Sequence, residues 1–180
     1  MDLIGQLDMV QLQAVQNFSL LSADQLNWKP DPSKWSIAQC LDHLIVSNST
    51  YFPIFDKILA NEYRLSFVQR LNPLKKLMGS MMSKTLGPQL VRKFHSPRIF
   101  EPSSSQINPG IVEEFSNLQN KLKNYFTKLL QPSLTKITVA SPVSSIITYP
   151  LSDALKIIAG HEQRHLHQAI NVLNHQNFPK

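Results

Sequence analysis

An all-α, up-and-down four-helix bundle, with an irregular basic insertion between its second and third helices, is the fold class this 180-residue sequence predicts. Three observations predict it. Four long stretches repeat apolar side chains at three- and four-residue spacing. Prolines, serines and glycines cluster at the joints between those stretches. The 42% of residues that are hydrophobic suffice for one sizeable core, so residues 1–180 read as a single domain.

The first predicted helix spans residues 2–21, where Leu3, Leu7, Val10, Ala14, Phe18 and Leu21 form one stripe. NWKPDPSKW, residues 27–35, follows as a bend, because two prolines remove amide donors and restrict their neighbours; Trp28 and Trp35 are expected to staple it. Ser36 then offers its hydroxyl as N-cap to a second helix with Ile37, Leu41, Leu44, Ile45, Phe52, Phe55 and Leu59 on its apolar side, kinked at Pro53. From about 65 to 108 the pattern breaks into short amphipathic pieces, the insertion. Pro109 is placed early in a third helix that runs to Leu130, with Lys121, Lys123 and Lys128 on its wet side. The β-branched, proline-broken stretch after it reads as an extended connection with a short strand pair, before Ser152 caps a fourth helix ending near Asn174.

Composition narrows the function classes. No apolar run approaches the roughly 20 residues needed to cross a bilayer, and the N-terminus carries acids where a secretory leader carries bases. A cytoplasmic location is the expectation. The single cysteine, Cys40, excludes an intramolecular disulfide framework. The net charge of +6 is local: Arg64, Arg70, Lys75, Lys76, Lys84, Arg92, Lys93 and Arg98 share a window without any acid. Segment 64–98 therefore carries the alternative reading, a surface for polyanions or membranes, with any metal site structural. It lacks a groove-reading motif, and its apolar residues suit covering the bundle while lysines snorkel outward, so nucleic acid and membrane are the weaker partners.

The chemistry lies in HEQRH, residues 161–165. His161 and His165 continue a stripe with Ala154, Ile158, Gln168 and Val172, and residues at i and i+4 stack one turn apart, so both imidazoles can converge on one ion. A shared cation offsets the desolvation of two buried rings better than two separate hydrogen bonds do. A zinc peptidase of the HExxH type needs a downstream third ligand; Glu162 is the last acid, and His175 would lie roughly 15 Å farther along the axis. The third ligand must come from upstream. His43 is the candidate, since Cys40, His43, Ser47, Tyr51 and Ile54 form their own stripe on the second helix.

WKPDPSKWSIAQCLDHL around His43 and the late HEQRHLHQ together resemble the DinB-like superfamily, which includes YfiT-type metal-dependent hydrolases and bacterial thiol transferases. The resemblance implies a bundle whose cavity holds a divalent ion, zinc or nickel foremost, on His43, His161 and His165. It also implies homodimers and small-molecule substrates, including low-molecular-weight thiols. An open position on three imidazoles would serve either water or a thiolate. In the hydrolytic version Glu162 is the candidate catalytic base, the alternative being a solvated helix residue paired with a cation; the transferase version requires no protein base. Cys40 reads as a small core residue or a fourth ligand. Tyr51 and Tyr149 read as packing or as cavity lining. Gln168 would orient a ligand ring or sit at the helix surface. His167 points away from His165, and His95 and His175 have no named partner.

Overall fold

The computed structural model describes residues 2–70, 106–144 and 146–180. Most of the expected insertion lies outside the described residues, including Lys75, Lys76, Lys84, Arg92, Lys93, His95 and Arg98. The described chain is mostly helical with one small sheet. Helix α1, Leu3–Phe18, buries the stripe its spacing announced: Leu3, Leu7, Val10, Ala14 and Phe18. The Asp2 carboxylate caps it by accepting from the Gly5 amide at 2.8 Å.

Just before the bend lies a helix the periodicity did not reveal. Helix α2, Ala23–Asn27, is only five residues long and is held by a capping box in which Ser22 and Gln25 exchange side-chain and backbone hydrogen bonds. A second capping box, Ser36 with Gln39, starts helix α3, Ile37–Ser49, at the residue expected. The kink before Pro53 is a complete break: helix α4, Phe52–Leu59, begins anew with proline in its first turn, where no amide partner is lost. Asn61, in the left-handed region at φ 56°, turns the chain out of α4, and helix α5 follows at Phe67–Arg70.

Helix α6, Ile111–Leu129, starts after Gly110, so Pro109 precedes the helix it was expected to open; Asn108 accepts from the Gly110 amide instead. The predicted strand pair forms as β1, Thr138–Ala140, and β2, Thr148–Pro150, antiparallel with Val139 opposite Tyr149. Helix α7, Leu151–Leu173, begins directly from β2. Ser152 lies inside it and is not the cap. The first amides of α7 find acceptors elsewhere, Leu151 N on the Ile137 carbonyl at 2.7 Å and Ser152 N on that of Thr135 at 3.0 Å, so no side-chain cap is required.

Helices α1 and α3 each pack against both α6 and α7, and α4 lies on α6. Leu7, Leu41, Leu122 and Phe126 are fully buried where these faces meet, each contributing about 1.5–3 kcal/mol of apolar burial. Packing of α3 against α7 brings His43 to His161 and His165. Among the described residues no helix is long and apolar enough to cross a membrane.

Candidate metal centre

Two local facts set the site. Ser36 fixes where α3 starts, which puts His43 on the inward face two turns later. On α7 the i, i+4 spacing stacks His161 above His165. The three rings meet. His43 Nε2 lies 3.1 Å from His161 Nε2. Centroid separations are 4.9 Å between rings 43 and 161, 4.4 Å between 43 and 165, and 4.5 Å between 161 and 165. One ring nitrogen from each lies within 4.8 Å of the others.

The donor set fits a divalent ion. Tetrahedral zinc with bonds of roughly 2.0–2.1 Å places its nitrogen ligands about 3.3 Å apart, close to the 3.1 Å contact already present. His165 Nδ1 is buried and has no hydrogen-bond partner among the described residues, an orphan lone pair or N–H within the cluster. Burial, then the charges of His43 and Arg164, push His161 down to about 3. Burial chiefly, with His161, His43 and Arg164, holds His165 well below the usual imidazole range, while Gln168 opposes the shift as a hydrogen-bond partner. Both rings are therefore neutral near pH 7, the form that coordinates metal.

Trp35, expected only as a staple of the bend, forms a wall of the site. Its ring stacks on His165, at 5.6 Å and 26°, and tilts over His43 at 4.8 Å. Trp28 instead packs on His175 and Phe178, tying the C-terminal tail to the bend. His175 thus has an aromatic partner, and His167 is exposed, as expected.

Glu162 is no solvated helix residue. It is fully buried, and its Oε1 accepts from Asn48 Nδ2 at 2.7 Å and Gln119 Nε2 at 2.6 Å. Burial raises its carboxyl to about 8 against the opposing pull of those two donors. Its Oε2 and Gln119 Oε1 have no partner among the described residues. The sequence did carry a signal for this: Glu162 stands four residues from both Ile158 and Leu166, which are buried on the same line of α7.

Cys40 is buried but outside the three-histidine cluster, so a closed site with Cys40 as fourth ligand does not form; burial pushes its thiol up, as for a core cysteine. Tyr51 and Tyr149 are packing residues, their hydroxyls 2.9 Å apart in the interior. Burial raises both, and burial with Asp56 raises Tyr125 to about 12. Tyrosinate absorbance of the native protein between about pH 9 and 11 is accordingly expected to fall well short of that of the denatured chain. Equal titration in both states would contradict the buried pair.

A helical protein with a three-histidine cluster of ligand geometry, assembled across two packed helices, is the class that this fold and site define. The family model described as the DinB superfamily matches residues 6–169, a span that includes all three histidines, and the chain belongs to that superfamily. No curated protein and no solved structure matches it.

Proposed function

We propose that the chain is a metal-dependent enzyme of the DinB/YfiT type acting on a small molecule, with zinc or nickel on His43, His161 and His165. The observation that carries this reading is the convergence of three imidazoles from two helices, with one ring nitrogen of each within 4.8 Å of the others. The packing of α1 and α3 against α6 and α7 supports the finer fold assignment, an up-and-down four-helix bundle. A homodimer in the cytoplasm completes the proposal.

When bound, such an ion supplies either an acidified water or a thiol held as thiolate. The chain's own residues favour the second. Three neutral imidazole ligands would add no negative charge to a bound cation, a donor set suited to an anionic sulfur. Trp35 covers one side of the cluster and restricts water there. One oxygen of Glu162, the base a hydrolytic version would use, is taken up by Asn48 and Gln119, and its carboxyl, raised by burial to about 8, is mostly protonated near pH 7 and so a poor base. Transfer onto a low-molecular-weight thiol needs no such base, so S-transferase chemistry is our primary reading and hydrolysis the alternative.

Protein purified without added metal is expected to retain zinc or nickel in stoichiometric amount. Its cobalt(II) form should develop a sulfur-to-metal charge-transfer band when a small thiol such as glutathione is added. Loss of the ion on simple dialysis, or a spectrum indifferent to thiol, would count against the transferase reading.

A further inference from the structure

The Glu162 carboxylate lies at a junction of three helices. One oxygen, Oε1, receives the side-chain amide of Asn48 from α3 and that of Gln119 from α6, while Glu162 itself belongs to α7. All three side chains are essentially shut off from solvent, at 1%, 0% and 0% exposure. Both amides point at one oxygen, and at such burial little solvent competes for the two hydrogen bonds. Asn48 shares its helix with His43, five residues on, and Glu162 is the immediate neighbour of His161. The 2.7 Å bond between them therefore fixes α3 against α7 beside the point where the facing imidazoles come to 3.1 Å.

We infer that Asn48, Gln119 and Glu162 are positioning residues that set the register of α3 and α6 against α7 and so hold His43 and His161 at ligand distance. Resting on the metal-site reading above, this assigns Glu162 a role through its neighbours instead of through proton transfer. Supporting partners of this sort typically change metal affinity 10–100-fold when removed.

The test measures cobalt(II) affinity and the cobalt(II) visible spectrum, which reports coordination geometry, well below each variant's melting temperature. Asn48→Leu and Gln119→Leu remove a donor each at similar volume. Both are expected to weaken affinity about 10–100-fold and to alter the spectrum. Glu162→Gln keeps an acceptor at Oε1 and should restore affinity to within a few-fold of wild type, whereas Glu162→Ala should not. Leu129→Ala, a cavity in the core face of α6 ten residues and about 15 Å along the helix from Gln119, should lower the melting temperature and leave affinity and spectrum as in wild type. Unchanged affinity in Asn48→Leu and Gln119→Leu overturns the inference, and so does an equal loss in Leu129→Ala. A wild-type protein that takes up no cobalt(II) overturns the metal reading and this inference together; a wild type that binds normally beside unaffected amide variants overturns the inference alone.

Discussion

Replacing His161 with alanine is expected to abolish the thermal stabilisation that zinc or nickel gives the wild-type protein. A ligand that binds only the folded chain stabilises it by about 2.7 kcal/mol at a hundredfold excess over its dissociation constant. For a chain of this size that corresponds to a rise of about 5–10 °C in melting temperature. The loss follows from geometry: with the 3.1 Å contact between His43 and His161 removed, the remaining rings supply two donors where the ion requires three. His43→Ala and His165→Ala should behave alike. Each variant is compared with its own metal-free baseline, because truncating a buried ring leaves a cavity that lowers the melting temperature by itself. His167→Ala, on the exposed face of the same helix, is the control and should keep the full metal shift. Melting curves with and without added zinc decide the matter; a His161→Ala protein that still gains several degrees would remove the site.

Glu162→Gln is expected to stabilise the metal-free protein by a few kcal/mol at pH 8 and hardly at all below about pH 4.5. Burial raises the folded-state carboxyl from 4.5 to about 8, so the stability it contributes is fully present below the unfolded value and is lost as pH rises through the folded one. Each unit is equivalent to about 1.4 kcal/mol. Glutamine carries no charge to bury, and its carbonyl oxygen can still accept from Asn48 and Gln119. The histidines act in the opposite direction. His161 is depressed to about 3 and His165 is also lowered, so their contribution is present above the ordinary imidazole value of 6.5 and is lost as pH falls below it. That acid-side loss should be common to the wild type and the variant. Denaturant unfolding in the presence of chelator at both pH values reads the difference, and an equal gain at the two would contradict the buried-carboxylate account.

The features that follow from local rules were legible in the sequence. The stripe from Leu3 to Phe18 is buried as read, Ser36 caps α3, and the i, i+4 histidines stack as their spacing requires. His43 was reachable by elimination once the chain after His165 proved too short of donors. What escaped depends on distant partners. The donors that take Glu162 out of solvent stand 114 and 43 residues away, at Asn48 and Gln119. Ser152 looked like a cap because the carbonyls of Thr135 and Ile137 that replace one are supplied by the preceding connection. Trp35 reads as a turn anchor until α7 is packed against α3 and slides His165 beneath its ring. Helix α2 is too short for periodicity to register, although its Ser22 and Gln25 were in view.

His43 and His161 stand 118 residues apart along the chain, and the whole basic segment lies between them. An ion held by both would thus act as a reversible clasp on a long circuit of polypeptide, closing it in the folded state and releasing it when the chain unfolds. Closure entropy grows only logarithmically, by about 0.6 kcal/mol for each doubling of contour length. The intervening stretch can therefore lengthen or shorten while the clasp holds nearly as firmly.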